Sequence, residues 1–195
     1  KLFLPPLLFE EILNSQAWYS PNLTDQLTTG KSPLAPTLHS LLFTSLVFGS
    51  YPAAVTAGDK EGYLLTLTSD YLLKDVFQLG NLREPNLIKQ LLLLLAHQIG
   101  SEVSTAELSR NLSISRQTVE RYLDLLERCF VIFRLNSYST NLRKEIAKSK
   151  KIYFWDTGVR NALLKEMQFS DYRADIGALW ENWIVAEFAK KNALN

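Results

Sequence analysis

Between Val103 and Leu135 the chain reads VSTAELSRNLSISRQTVERYLDLLERCFVIFRL: two short amphipathic segments about a polar turn, then β-branched and aromatic residues. Ser104-Thr105-Ala106-Glu107 has the form of a capping box, in which the serine hydroxyl accepts from the Glu107 amide and the glutamate reaches back. A helix therefore starts at Ser104 and runs to about Leu112. Ser113-Ile114-Ser115 is the turn, and Ser115 is placed to cap a second helix from Arg116 to about Arg128. Val119, Tyr122, Leu123 and Leu126 form its inward stripe, while Arg116, Gln117, Glu120, Arg121 and Asp124 face away. Val131 to Leu135 and Ile152 to Trp155 are strand candidates around the basic stretch Asn141 to Lys151. This is the order of a helix-turn-helix with a wing.

The flanks read as further helices, so the expected class is mainly α with a small β wing. Leu7 to Leu13 follows Pro5-Pro6, and Thr37 to Phe48 is closed by Gly49 and Pro52. A helix from about Asp59 past Val76 stops before Gly80. Pro85 opens another over Leu87 to Ile99, stopped by Gly100 and apolar nearly all round. Beyond Asp156 a short helix is expected near Val159 to Met167 and a longer one from about Ile176 to Lys190. Gly30-Lys31-Ser32 resembles the end of a phosphate-binding loop, but Asp25 stands where its earlier glycine belongs and Pro36 is expected to break any helix that starts there. A plain surface loop is the expectation.

Net charge is +1, too little for a global field that would draw the chain onto nucleic acid. The local balance differs: residues 101–151 hold ten Lys and Arg against six Asp and Glu. The candidate nucleic-acid contacts are Arg116, Gln117 and Arg121 near base edges, with Arg143, Lys144, Lys148, Lys150 and Lys151 on phosphates. Against this stand Glu120 and Asp124, which suit a module for packing or protein interaction. No catalytic set stands out. His39 and His97 lack metal-ligand spacing, and Cys129, the single cysteine, reads as a small apolar residue between helix and strand. Among Asp156, Asp171, Asp175 and Glu181, only Glu181 has the setting of a ligand in a metal-dependent nuclease, and one carboxylate makes no site. The longest apolar run, Leu91 to Ala96, is far short of a membrane span, and a lone cysteine suits a reducing compartment, so a cytoplasmic location is expected.

Seven pieces in order, PLLFEEIL, FGSYPAAV, YLLKDV, LLAHQIG, LSISRQTVERYLDLLERCFVI, NLRKEIAKSKKIYFWDTGVRNAL and RADIGALWENWIVAE, cover nearly the whole chain. Together they resemble the C-terminal half of AAA-superfamily ATPases of bacteria and archaea, whose N-terminal half is a P-loop domain. The resemblance implies a helical lid-like region over residues 1–86, a winged helix over 87–155, and over 156–195 the truncated start of an α/β domain similar to the PD-(D/E)xK nuclease fold. It implies that this chain carries neither cofactor nor metal site, that ATP and Mg²⁺ belong to the parent protein, and that the chain's own ATPase domain is a partner; the winged helix is expected to bind double-stranded DNA or a protein partner, and oligomerisation is left open. A stand-alone winged-helix transcriptional regulator is the alternative. The family often has Tyr-Pro-Glu where this chain has Tyr51-Pro52-Ala53. Asp75, Asn141, Arg143, Lys144, Asp156 and Arg160 match family motifs without an assigned role.

Overall fold

The computed structural model describes residues 4–20, 33–71, 76, 85–135, 150–170 and 172–194. Within them the order is α1 (Phe9–Asn14), α2 (Ala35–Phe48), α3 (Pro52–Thr56), α4 (Lys60–Thr66) continuing as a π-helical turn (Leu67–Tyr71), α5 (Pro85–His97), β1 (Glu102–Val103), α6 (Thr105–Leu112), α7 (Arg116–Arg128), β2 (Ile132–Leu135), β3 (Lys150–Phe154), α8 (Thr157–Leu164) and α9 (Ile176–Leu194). The chain is mainly helical, and the described residues form one small antiparallel sheet in the order β1-β3-β2. Ile132 faces Phe154 and Leu135 faces Lys151 across β2 and β3, while Glu102 faces Lys151 across β1 and β3.

The helices around the polar turn start and stop where their caps place them. Ser104 Oγ accepts from the Glu107 amide, and Ser115 Oγ accepts from the Thr118 amide at 3.1 Å. The Glu107 carboxylate accepts from Gln98 Nε2 of the preceding segment, tying α6 to the end of α5. Ser113 ends α6 in the left-handed region, φ 54°, and Ser109 Oγ donates to the Ile114 carbonyl at 2.6 Å, which fixes the turn. The strands differ slightly from expectation: β3 begins two residues earlier, and β1 is an addition with no sequence period, being two residues long. Pro36 does not break a helix. It lies in the first turn of α2, where the missing N–H has no intrahelical partner to lose, and the helix is 14 residues long in all. The Gly30-Lys31-Ser32 tripeptide lies outside the described residues.

Among the described residues two apolar clusters hold the fold. One gathers Val76, Ile88, Leu91, Leu92 and Leu95 with Leu108, Val119, Leu123, Leu126, Ile132, Phe154 and Val159. The other gathers Phe43, Leu46, Val47, Leu64 and Ile99 with Ala162, Met167 and Leu179. Helix α8 contributes to both and packs on α2 and α5. Its seat depends on two glycines. Gly49 ends α2 at φ +72°, and a Cβ there would fall 2.0 Å from Asp156 Oδ1; a Cβ on Gly158 would fall 2.3 Å from the Phe48 carbonyl oxygen. The C-terminus of α2 and the N-terminus of α8 therefore approach as closely as backbone allows.

Candidate nucleic-acid interface

Helix α7 buries Val119, Tyr122, Leu123, Leu125 and Leu126 and leaves Arg116, Gln117, Glu120, Arg121, Asp124 and Arg128 exposed. At about 100° per residue, the exposed arc runs in angular order Arg116, Glu127, Glu120, Asp124, Gln117, Arg128, Arg121. Three acidic side chains, Glu127, Glu120 and Asp124, thus lie between Arg116 and the pair Gln117 and Arg121, and all belong to one face. The Arg121 guanidinium sits 5.5 Å from the Tyr122 ring centroid, a cation–π contact that steadies one of the candidate base contacts.

The acids are not free charges. Arg134 on β2 shares the sheet face of Ile132 by the two-residue period of a strand, so its side chain reaches α7. Nη1 donates to Glu120 Oε2 at 3.0 Å, and Nη2 donates to both Asp124 Oδ1 and Glu127 Oε2. The Arg134 amide donates to Glu127 Oε1 at 2.9 Å, which also satisfies an outward N–H on the edge strand of the sheet. Burial alone would lower the Arg134 pKa, but the hydrogen bonds and charges of Glu127 and Asp124 outweigh it and hold the group firmly protonated. Sequence reasoning missed Arg134 because its partners lie seven to fourteen residues away and meet it only in this strand register.

Among the lysines of the expected wing, Lys150 is exposed on β3, whereas Lys151 donates to Glu181 Oε1 of α9 at 2.9 Å. Tyr153 Oη donates to the same oxygen at 2.7 Å. These two hydrogen bonds pull the Glu181 carboxyl below its ordinary value; burial, followed by the Glu181 contact, raises that of the Tyr153 phenol. Lys151 therefore joins β3 to α9. Arg143, Lys144 and Lys148 lie outside the described residues.

Asp156 and Arg160 are both committed to contacts within the fold. Asp156 caps α8 through the Val159 amide at 3.0 Å, and its other oxygen accepts from the Ser50 amide at 2.7 Å and the Ser50 hydroxyl at 3.3 Å. Burial pushes its carboxyl up, opposed by Lys190 and by those donors. Lys190, fully enclosed on α9, donates to Ser50 Oγ, Glu187 Oε1 and the Leu7 carbonyl. Arg160 donates to the Ala96 carbonyl at the end of α5, to Asn161 and to Asp175, which also takes two hydrogen bonds from Arg173. The Arg173 hydrogen bonds, followed by those of Arg160 and despite burial, bring the Asp175 carboxyl down to about 2. Asn182 forks onto the Phe154 amide and carbonyl at 2.8 and 2.9 Å. A periodicity signal existed for two of these: Leu179, Asn182, Ala186 and Lys190 lie at three- and four-residue steps on the buried face of α9.

The acids weighed as a metal site are thus dispersed. Asp156 faces Ser50, Asp175 faces two arginines and Glu181 faces Lys151, while Asp171 is outside the described residues. Among the described residues no group of three His, Cys, Asp or Glu side chains converges on one point. His97 stands exposed beside a cleft of about 370 Å³ lined with Arg160, Arg173 and Asp175, and His39 stacks on Phe43 at 5.8 Å. None of the helices among the described residues is long and apolar enough to cross a membrane.

Comparison with known proteins adds kinship without chemistry. Uncharacterized proteins of Mycobacterium bovis and Mycobacterium tuberculosis are each 31% identical over 156 residues, covering 75% of this chain and 34% of their own length. An uncharacterized protein of Methanocaldococcus jannaschii is 31% identical over 126 residues, 63% of this chain and 26% of its own. The chain therefore spans about a third or less of the length of these curated relatives. No solved structure matches it. Residues 39–170, which take in every element from α2 to α8 except the first turn of α2, match the family described as a domain of unknown function, and the chain belongs to that family, DUF8612.

Proposed function

We propose that this chain is the non-catalytic C-terminal part of an AAA-type ATPase and that its β1-α6-α7-β2-β3 unit is a winged helix that binds double-stranded DNA under control of the ATPase domain. One observation carries the reading: a capped helix, α7, stands on a three-stranded antiparallel sheet with Arg116, Gln117 and Arg121 together on its solvent face. In such a unit the second helix enters the major groove, where arginine pairs with guanine and glutamine with adenine, and the strand-loop-strand that follows rests on phosphates. The ATPase part of the proposal is supported by the motif order and by the greater length of the relatives. ATP and Mg²⁺ act in the parent protein, and this segment alone turns over no ATP.

The test is duplex binding over a salt series. Arg116→Ala should cost about 1–3 kcal/mol and relax sequence preference, whereas changing Arg143 and Lys144 together should weaken binding to all sequences and lower the salt slope by about 1–2. Absence of duplex binding at low salt would overturn the DNA reading. The second reading is a docking module for a protein partner, and the carboxylates of Glu120, Asp124 and Glu127 on the same face favour it.

A further inference from the structure

The exposed face of α7 poses a problem for any polyanion. Glu120 and Asp124 lie between the side chains that would touch bases, with side-chain exposures of 49% and 61%, and Glu127 adds a third negative charge. Extended outward, these carboxylates would meet phosphate oxygens, and like charges in contact at an interface cost enough to suppress binding altogether. The structure holds them elsewhere. A single guanidinium, itself only 14% exposed, collects all three from one side. Its position is fixed from two directions, by the pairing of Arg134 with Ile152 across β2 and β3 and by the Glu127 bond to its own amide.

We propose that Arg134 is the positioning residue of the DNA-binding face, drawing Glu120, Asp124 and Glu127 back toward β2 so that Arg116, Gln117 and Arg121 are the groups that meet the groove. This rests on the DNA reading of the preceding section. Charge count alone is a small part of the effect, since one guanidinium leaves two of the three negative charges uncompensated. Geometry is the larger part. Carboxylates held toward the strand are farther from the duplex and partly screened by the sheet, while the same carboxylates released from Arg134 are free to swing through the exposed arc that they share with Gln117. The guanidinium suits this task better than an ammonium would, because its planar fork of donors engages several carboxylates at once in fixed directions.

The experiment is a double-mutant cycle on duplex affinity, read by fluorescence anisotropy from about 20 to 200 mM salt, a range over which phosphate contacts dominate. The proteins are the full chain, Arg134→Gln, the pair Glu120→Gln with Asp124→Asn, and all three changes together. Arg134→Gln should weaken binding by about tenfold at low salt. The paired neutralisation should help little in the native background and should restore most of the affinity when Arg134 is absent, a coupling that independent charges would not show. Circular dichroism checks that each variant folds, and Arg134→Lys, which keeps the charge without the fork, should fall between native and Arg134→Gln. Native binding with equal, additive effects of the two changes would overturn the inference and leave the DNA reading standing. Failure of the native chain to bind any duplex at low salt would overturn both.

Discussion

Gly158 sits in the first turn of α8 with no unusual backbone angle, so helix propensity alone says that alanine should stabilise the protein by about 1 kcal/mol. Packing says the opposite. A methyl there would lie 2.3 Å from the Phe48 carbonyl oxygen, 2.4 Å from its carbon and 2.7 Å from the Gly49 nitrogen. All three atoms are backbone, and no side chain can swing aside to relieve the contact. Ordinary separation needs about 1 Å more, and moving α8 off α2 by that amount stretches the hydrogen bonds from the Ser50 amide to Asp156 Oδ2 and from Asn161 Nδ2 to the Val47 carbonyl. Overpacking of this kind costs about 3 kcal/mol, leaving a net loss of about 2 kcal/mol. With a urea m value of about 2 kcal/mol/M for a chain of this size, the unfolding midpoint should fall by about 1 M. Gly177→Ala is the matched control: no atom lies within 4 Å of a Cβ at that site, in the first turn of α9, and the midpoint should hold or rise. A Gly158→Ala protein with an unchanged or higher midpoint would refute the close approach of α2 and α8.

Other perturbations have equally definite signs. Asn182→Ala strips partners from both the amide and the carbonyl of Phe154 in a buried strand, so stability should drop by about 2–4 kcal/mol in thermal or urea unfolding. Lys165 closes α8 at φ 57°, where glycine carries no Cβ penalty; Lys165→Gly should raise stability by about 1 kcal/mol. Asp175 has a folded pKa of about 2 against a reference of 3.8, so its contribution is full above 3.8 and is lost as pH falls through about 2. Urea midpoints measured from pH 5 down to pH 2 should therefore decline, and Asp175→Asn should flatten that part of the decline.

The sequence was most legible where structure is local. The limits of α6 and α7 follow from Ser104 and Ser115, whose hydroxyls cap the next turn, and from apolar residues spaced for one face. Gly49 and Gly100 mark chain reversals because both take positive φ. Legibility fails where a residue's role depends on a distant partner. Pro36 reads as a helix breaker until the start of α2 is known to lie one residue before it. Strand β1 has only Glu102 and Val103, too few to show alternation, and exists because β3 offers an unpaired edge. Asp156 has no role that the sequence alone assigns, and it is a cap whose second oxygen accepts from Ser50, 106 residues away. At the candidate interface the sequence places Arg116, Gln117 and Arg121 on one face, but gives no sign that Arg134 has gathered the acids beside them.

Helix α8 decides how any signal could reach that face. It follows β3 directly, carries Val159 into the core beneath α6 and α7, and carries Ala162 into the core beneath α2 and α4. Between those apolar positions its polar side chains are equally committed: Arg160 to the end of α5, Asn161 to the carbonyls of Leu46 and Val47, and the Asp156 cap to Ser50. Shifting the N-terminal helices against α7 would leave buried donors or acceptors without partners on one side of α8 or the other, at about 1–3 kcal/mol for each group. Several such groups would be exposed together, a cost comparable with the whole stability of a domain. On the proposed function, nucleotide-driven movement therefore carries α2, α5, α7 and the sheet as a unit, and control over DNA lies in where that unit is presented rather than in a hinge within it.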